Sequence, residues 1–413
     1  MKSLSRHIAE AAGKNTHMIH IEDLILDGGV RGARQAIMAL RSLRDMLAGN
    51  AKTAVDITVK WDGAPAVFAG EDPTDGEFFV AKKGIFNANP KIYKSHEDID
   101  ADTSGDLSKK LKMAYDYIKP LGVKGVIQGD FMFDNSDLKN ETIDGVKHVV
   151  FHPNTIAYAV PKGSAIEKVI SKAKIGIVWH TVYKGATFET MQAEFGKAIV
   201  SGLNPSKDVW MQDATLDDLS GTATLTETET DALNANLSEA GKIFKKIAAK
   251  TLKELESNKE LNLVINVYNN TKVRSGQRIT NTRAHVKGLI TFVEDRYAKE
   301  INKRSSQKGK DAQVAKRDEL LKFFSTSNAA NLQKVFDLQN FVVDSKLIII
   351  NKLNKVSKIG TFVKTKSGFR VTNPEGFVAI DRMEGGAVKL VDRMEFSTNN
   401  FSKDIIKGWD NPG

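Results

Sequence analysis

The patterned part of the chain begins with an apolar stripe of helical period. Ile37, Leu40, Leu43 and Leu47 recur at intervals of three and four residues, which is the spacing of one face of an α-helix. Arginines between positions 31 and 44 fall largely off that stripe. The pattern therefore predicts an amphipathic helix over residues 30–48.

Beyond this helix, apolar and polar residues alternate with the period of two that is typical of half-buried β-strands. Glycine, proline and aspartate separate the runs, as they do at turns. The predicted strands are AVDITVKW, PAVFAG, EFFVAKKG, GVIQGDFMF, HVVFH, NTIAYAV and KIGIVWHTVY. Helices are predicted at 106–120 and 164–173. Together these elements indicate an α+β region dominated by antiparallel strands rather than a regular βαβ alternation.

The pattern changes near Asn204-Pro205 and becomes helical and charged from about 226 to 356. Thr226 and Glu229 have the spacing of a capping box, which predicts a helix start. Further helices are predicted at 280–303, 311–325 and 328–355. Strand-like runs then resume, separated by turn residues at 366–368, 373–374 and 385–386.

These shifts predict a β-rich unit that is interrupted by a helical insertion and then completed. The predicted segments are an N-terminal helical segment at 1–50, the first part of the core at 51–204, the insertion at 205–357 and the completing strands at 358–413. The alternative partition is a helical module placed after the β domain, with an unrelated β tail.

Composition narrows the class of protein. The 413 residues include 60 Lys and Arg against 51 Asp and Glu, a net charge of +9. This balance is compatible with a polyanionic partner such as nucleic acid, although many basic proteins have none. The absence of cysteine excludes disulfides, zinc–thiolate sites and thiol nucleophiles and favours a cytoplasmic protein. MKSLSRHIAEAAGKN lacks the apolar stretch of a signal peptide, and no apolar run approaches a membrane span.

The segment TVKWDGAPAVFAG, residues 58–70, places Lys60 at the mouth of a tight turn between two predicted strands. One interpretation is a solvated lysine followed by a hairpin turn at Asp62-Gly63, since K-x-D-G is short and occurs by chance. The other is a reactive amine. A protonated lysine, with a reference pKa of about 10.4, is a poor nucleophile. Burial and neighbouring cations disfavour its charged form and make it reactive.

K-x-D-G between two strands resembles motif I of the covalent nucleotidyltransferases, a superfamily that includes ATP-dependent DNA ligases, RNA ligases and mRNA-capping enzymes. Blocks similar to its other motifs follow in the family's order. They are Lys82-Lys83-Gly84 at a basic strand end, Gly129-Asp130-Phe131-Met132 for motif III, IVWHTVYKG at 177–185 for motif IIIa, Glu375-Gly376-Phe377-Val378 for motif IV and Val388-Lys389-Leu390 for motif V. The resemblance covers about residues 50–200 and 358–400 and leaves out the helical insertion.

The resemblance implies an antiparallel-sheet, ATP-grasp-like ligase core interrupted by a mostly helical domain. It implies that Lys60 attacks the α-phosphate of ATP and carries AMP as a phosphoramidate, with Mg²⁺ as cofactor. The implied residues are Lys60, Lys389 and Glu375 for catalysis, Thr58, Asp62, Gly63, Lys82, Lys83, Asp130 and Trp179 for nucleotide binding, and Glu375 and Asp130 for the metal.

Within these roles, Trp179 is expected to offer a face for purine stacking and Thr58 to touch the adenine edge. Asp62 is expected to orient its loop rather than do chemistry. Structural interpretations stay open beside these: Trp179 as core, Asp130 as a turn acid and Glu375 as an exposed turn residue. His180 stands where the family usually has Asp and is interpreted as structural or surface.

Three departures separate this sequence from the family's pattern. Pro65 stands where many ligases have arginine, which favours the RNA-ligase pattern over the DNA-ligase pattern. Val391 replaces the second lysine of the K-x-K form of motif V, and Arg393 is a possible substitute. Only about twenty residues follow Lys389, which are too few for the usual C-terminal OB-fold.

Without an OB-fold, the helical insertion becomes the candidate for binding the polynucleotide. Residues 261–293 contain no Asp or Glu, and basic residues recur along them. The candidate contacts to nucleic acid are Arg274, Arg278, Arg283 and Lys287. Such a strip can bind phosphates through charge and N–H donors, or it can be a solvated basic face.

The sequence therefore predicts an ATP-dependent polynucleotide ligase, closer to RNA ligases than to DNA ligases, which acts through a lysyl-AMP intermediate on RNA or DNA ends. One alternative keeps the nucleotidyl transfer but gives AMP to a protein or a small molecule. Another is a non-catalytic nucleic-acid-binding protein on a ligase-like fold. No membrane association is expected, and the sequence gives no evidence for an obligate protein partner.

Overall fold

The computed structural model describes residues 18–48, 55–216, 223–324, 326–356, 359–381 and 387–410. The N-terminal residues discussed above and the predicted turn at 385–386 lie outside these ranges. The helices are α1 (Leu24–Asp27), α2 (Gly29–Leu47), α3 (His96–Asp102), α4 (Gly105–Ile118), α5 (Ala165–Ile170), α6 (Glu227–Lys246), α7 (Ala249–Ser257), α8 (Lys259–Arg274), α9 (Thr282–Asn302), α10 (Gln307–Phe323), α11 (Thr326–Leu353) and α12 (Arg393–Phe401).

Fifteen strands occur in the described part of the chain. They are β1 (Val55–Lys60), β2 (Ala66–Glu71), β3 (Phe78–Ala81), β4 (Val126–Asp134), β5 (Lys139–Ile143), β6 (Val146–Phe151), β7 (Ala157–Pro161), β8 (Ile175–Lys184), β9 (Gln192–Phe195), β10 (Val209–Asp213), β11 (Gly360–Thr365), β12 (Gly368–Val371), β13 (Gly376–Asp381), β14 (Ala387–Leu390) and β15 (Ile405–Ile406). All pairings between these strands are antiparallel except that of β8 with β10. The mixed α+β class with antiparallel sheets is confirmed.

The strands form three sheets, named here by position. The cleft sheet has the order β1-β13-β14, and the central sheet has the order β10-β8-β4-β2-β3, with β9 on β8. The outer sheet has the order β12-β11-β7-β6-β5, with β15 on β11. Strands from both ends of the sequence thus share the cleft sheet and the outer sheet, as the predicted interruption of a β-rich unit requires.

The cleft sheet separates the helical part of the molecule from the candidate site. In an antiparallel pair, residues directly opposite each other share a face. Val59 lies opposite Phe377, which lies opposite Leu390, and these side chains belong to the core that the helices build. The other face therefore carries the alternate residues of the same strands.

The central and outer sheets pack face to face through an aromatic core. Trp61, Phe133, Phe151, Tyr158 and Trp210 fill it, with Trp61 and Tyr158 stacked at 5.0 Å between ring centroids. The opposite face of the central sheet is covered by α4 and its neighbours. The central sheet is thus buried on both sides, which makes it a rigid support for the site.

The helical domain consists of α6 to α11, with α2 packed against α6, α7 and α11. The capping box at its start is confirmed, because Glu229 N–H donates to Thr226 Oγ1 at 3.2 Å and Thr226 N–H to Glu229 Oε2 at 2.8 Å. Strand β10 pairs with β8, so the β core extends beyond the predicted boundary at 204. No helix in the described ranges is long and apolar enough to cross a membrane.

A buried ion network joins the N-terminal segment to the helical domain. Lys346 Nζ on α11 lies 2.8 and 2.9 Å from the two carboxylate oxygens of Glu22, and both side chains are at most 5% exposed. Arg393 donates to Asp23 at 3.0 Å and to Asn270 at 2.5 Å. The sequence pattern gave no sign of this network, since each member is one charge among apolar or polar neighbours.

His285 in the helical domain should make stability depend on pH. It is buried against Tyr268, its Nε2 lies 2.8 Å from Asn269 Oδ1, and burial lowers its pKa to about 4. Because the folded pKa is below the unfolded value of about 6.5, the stability from the neutral ring is present above pH 6.5 and is lost as the pH falls toward 4.

We expect His285→Gln to remove this pH dependence. The free energy of unfolding of the wild type should fall by about 2 kcal/mol more than that of the variant between pH 7 and pH 5, as measured by urea unfolding. Equal slopes for the two proteins would contradict the assignment of a neutral buried imidazole.

Candidate active site

Lys60 and Glu375 form an ion pair at the start of the cleft sheet. Lys60 ends β1 and lies opposite Gly376, the first residue of β13, so the pairing register brings the preceding Glu375 to the lysine. The Lys60 amine contacts Glu375 Oε2, with the two side chains 26% and 12% exposed. Burial raises the pKa of Glu375, and the Lys60 charge opposes that shift. The residues that resemble motifs I and IV thus meet in space, 315 positions apart in the sequence.

Lys389 lies on the same face of the cleft sheet as Lys60. It is opposite Val378, which is opposite Thr58, two residues before Lys60. Burial, followed by the Lys60 charge, lowers the pKa of Lys389. Two lysines from different strands therefore share one partly buried pocket with Glu375.

The strand register also shows where Val391 lies, which replaces the second lysine of motif V. Val391 is 2% exposed, and a Cβ on Gly376 would lie 2.6 Å from its Cγ2, so Val391 packs on the β13 backbone. Arg393 does not substitute for the missing lysine, because its guanidinium is held by Asp23 and Asn270. That expectation was wrong.

Asp130 and His180 face the lysines from the central sheet. Their strands β4 and β8 pair with a register shift, because Gln128 lies opposite Thr181 whereas Gly129 lies opposite Trp179. His180 is therefore the extra residue of a β-bulge on β8. Such a bulge redirects a side chain, and His180 Nε2 lies 3.8 Å from Asp130 Oδ2. Burial, then the Lys60 charge, lowers the pKa of His180 to about 4.

His180 is the site residue that the sequence interpretation missed. Its only signal was its place in the IIIa-like block, directly after Trp179. Alternation along β8 predicts opposite faces for Trp179 and His180, but the bulge that sets His180 opposite the step between Gln128 and Gly129 is not visible in a period-two pattern.

Asp130 has an environment suited to holding a proton or a cation. Its side chain is 19% exposed, and burial raises its pKa to about 7, with the Lys60 charge opposing the shift and the Glu375 charge adding to it. The carboxyl is therefore protonated more readily than an ordinary aspartate. The interpretation of Asp130 as a simple turn acid is wrong, because it lies within β4.

Asp62 holds the loop after Lys60 in place. Its carboxylate accepts hydrogen bonds from Asn154 Nδ2 at 2.7 Å and from the backbone N–H groups of Thr155 and Ile156 at 2.8 and 2.9 Å. With its acceptors used in this way, Asp62 orients the loop, as predicted. Gly63 lets this loop approach β4 closely, because a Cβ there would lie 2.5 Å from that of Asp130.

The two lysines after β3 face different ways. Lys82 Nζ lies 2.9 Å from Asp102 Oδ2, a carboxylate that also contacts Lys91 and Tyr93. Lys83 is exposed, and its charge is among those acting on the pKa of Asp130 and of Lys389. The nucleotide-binding role expected for Lys82 is not supported, because Asp102 engages its ammonium, whereas the exposed Lys83 acts on the site through its charge.

Trp179 and Thr58 do not have the exposure that their expected roles need. Trp179 is fully buried with Ile177 and Phe131 in the core under α4, so a purine cannot stack on it. Thr58 is 6% exposed and bridges to Thr215. The structure therefore corrects the stacking role of Trp179 and leaves the adenine contact of Thr58 without support.

The basic strip lies on the helical domain. Arg274 ends α8, and Arg283 and Lys287 are one turn apart on α9, all three exposed. Arg278 lies between these helices and pairs with Asp344 at 3.6 Å, both side chains being about half exposed. All four cations are solvent-accessible, which both interpretations of the strip require.

The donor set of the site fits Mg²⁺ shared with a substrate. Mg²⁺ takes oxygen ligands, commonly one or two protein carboxylates completed by water and phosphate oxygens. Asp130 and Glu375 supply two carboxylates close enough for one charge to raise the pKa of the other. Within the residues that the structure describes, no group of three or more acidic or histidine side chains could hold a metal.

The fold and the site define a class: an α+β protein in which Lys60 and Lys389 share one face of the cleft sheet and Lys60 lies near Asp130 of the central sheet. Over residues 15–405 the chain matches the model of a protein family described as "Family of unknown function (DUF6267)", and it belongs to that family. No curated protein matches the chain. No solved structure matches it either.

Proposed function

We propose that the protein is a covalent nucleotidyltransferase that takes AMP from ATP onto Lys60. The observation that carries the proposal is the convergence on one cleft of Lys60, Glu375 and Lys389 with Asp130, which come from three strands of the fold and the turn before β13. A structural lysine needs one counter-ion. A second lysine, a second carboxylate and a neutral histidine beside it are the groups that phosphoryl chemistry uses.

The residues of the cleft account for the transfer step. The Lys60 ammonium gives a proton to the Glu375 carboxylate that contacts it, and the freed lone pair of Nζ attacks the α-phosphorus. The new P–N bond forms as the P–O bond to the β-phosphate breaks, and pyrophosphate leaves with those electrons. Lys389 and Lys83 would balance the charge that builds up on the phosphate oxygens.

Bound magnesium would add positive charge at the leaving pyrophosphate. Asp130 would hold it, together with Glu375 in the state in which Glu375 has not taken the Lys60 proton. The protein would also keep the nucleophile in place. The pairing of β1 with β13 fixes the Lys60 backbone, and the hydrogen bonds of Asp62 fix the loop that follows.

We propose a polynucleotide 5′-phosphate as the acceptor of AMP. A 3′-hydroxyl then displaces AMP and seals the strand, so the protein acts as an RNA-ligase-like enzyme. The basic strip on the helical domain and the net charge of +9 support a polyanionic acceptor.

Labelled ATP tests the first step. With magnesium and ATP labelled at the α-phosphate, we expect an acid-labile label on the protein, and with ATP labelled at the γ-phosphate we expect none. Transfer of the label to an oligonucleotide 5′-phosphate supports the ligase. Transfer only to a protein or a small molecule would still support nucleotidyl transfer through Lys60 but would contradict the proposed polynucleotide acceptor.

Lys83 and Lys82 provide a matched pair of neighbours. Lys83→Ala should slow label incorporation by about tenfold, because it removes one cation facing the phosphates. Lys82→Ala should leave the rate within about twofold, because Lys82 is engaged by Asp102. The rate of label incorporation at saturating ATP checks this, and the reverse order of effects would contradict the assignment of Lys83 to the site.

A further inference from the structure

Two aromatic side chains stand out on the surface near the C-terminal end of the described chain. Three of the four tryptophans are at most 8% exposed, whereas Trp409 is 61% exposed. Phe401, the last residue of α12, is 59% exposed. Exposed aromatic rings of this size are informative where they combine with other recognition groups on one surface.

A cation lies over each ring. The guanidinium carbon of Arg274 is 5.4 Å from the centroid of Phe401, and Lys407 Nζ is 5.1 Å from the centroid of Trp409. Arg274 comes from the helical domain and reaches a ring of the β core, because α12 packs against α8. Each aromatic face is thus combined with positive charge.

Both rings are next to residues that hold the turn behind the Lys60 loop. Asn400, adjacent to Phe401, accepts from Thr155 Oγ1 at 3.1 Å. Gly408, adjacent to Trp409, donates its N–H to the carbonyl of Asn154 at 2.6 Å. Asn154 and Thr155 are the residues that bind the Asp62 carboxylate. The chain segments that carry the two rings are therefore both anchored to the turn that supports the Lys60 loop.

We propose that Phe401 and Trp409, with Arg274 and Lys407, form a stacking surface for a single-stranded polynucleotide whose end reaches Lys60. Single strands are bound by aromatic rings that stack on bases and by cations that follow the phosphates, and this surface offers both. The choice of nucleic acid over a protein partner rests on the cation over each ring and on the segment 261–293, which supplies Arg274 and contains no acidic residue. Asp404 and Asp410 are the acidic residues next to the rings in the sequence. The inference rests on the proposed function for the identity of the strand end.

Trp409 is a built-in probe for the test. Oligouridylate and oligothymidylate of about 15 nucleotides are titrated into the full chain without ATP, and the fluorescence of the single exposed tryptophan is followed. We expect saturable quenching, with Trp409→Phe losing the signal but binding a dye-labelled oligonucleotide with an affinity within about twofold. The two oligonucleotides distinguish RNA from DNA as the strand that the surface prefers.

Removing the rings gives the quantitative test. Trp409→Ala and Phe401→Ala should each weaken binding of the dye-labelled oligonucleotide about tenfold, as expected for one lost stacking contact of about 1–3 kcal/mol. Met38→Ala is the control, because Met38 is 55% exposed on α2, remote in sequence and element from the proposed surface, and it should bind as the wild type does.

Either of two results would overturn the surface: unchanged oligonucleotide affinity in both alanine variants, or equal binding of duplex and single strand. If the first result is accompanied by a change in oligomeric state, the rings belong to a contact between protein chains rather than to a stacking surface. Failure of the proposed function is read separately, from label incorporation by the wild type. If oligonucleotide binding depends on the two rings but no lysyl-AMP forms, the stacking surface is supported and the catalytic role of Lys60 is contradicted.

Discussion

Lys60→Arg should abolish the attachment of AMP to the protein, with at least a thousandfold loss expected for a removed nucleophile. Arginine keeps the positive charge beside Glu375 but does not lose its proton under ordinary conditions, so it has no lone pair for the α-phosphorus. The intact mass of the protein after incubation with ATP and magnesium measures this directly. The wild type should gain the mass of one AMP and the variant none.

Lys389→Met is the informative comparison for this variant. Lys389 shares the cleft face with Lys60, and losing it should slow the reaction by about one to two powers of ten without removing the nucleophile. The melting temperature of each variant checks that the fold is intact. Full modification of Lys60→Arg would show that another residue carries the nucleotide.

Lys346→Met should be the most destabilising single change that the structure indicates. Lys346 is 1% exposed and ion-paired with Glu22, which is 5% exposed. Removing Lys346 leaves the buried Glu22 carboxylate with the longer contact of 3.8 Å to Arg393. Breaking such a pair costs about 3–5 kcal/mol. Urea unfolding at pH 7 should show this loss as a lower midpoint with an unchanged slope.

The double variant Glu22→Leu with Lys346→Met separates lost pairing from lost packing. Apolar replacement of both partners is often close to neutral, so the double variant should recover most of the stability that the single variant loses. A single-variant loss below about 1 kcal/mol would contradict a buried, paired lysine at this position.

Much of the fold follows from local patterns in the sequence. The helix predicted at 30–48 is α2 (Gly29–Leu47), and the one predicted at 106–120 is α4 (Gly105–Ile118), because a continuous apolar face needs only local spacing to be recognised. The boundary predicted at 204 was less accurate. Strand β10 belongs to the core because it pairs with β8, and pairing between distant segments leaves no local periodic signal.

The candidate site was harder to predict from local patterns than the fold was. No spacing rule connects Lys60 with Glu375, and only the order of short motifs brought them together as a prediction. Side-chain direction was the less predictable part. Trp179 points into the core, and His180 faces Asp130 through the bulge, while Lys82 and Lys83 diverge where β3 ends. Each of these outcomes is decided by one or two residues of backbone geometry.

The account depends on the Lys60 amine becoming bonded to the phosphorus of a nucleotide. The most direct measurement is digestion of the ATP-treated, full-length protein under non-acidic conditions and mass spectrometry of the peptide that contains residues 58–70. We predict that this peptide carries one AMP on Lys60 and that the modification disappears when pyrophosphate is added, because the transfer is reversible. An unmodified peptide under these conditions, or AMP found on another residue, would contradict it.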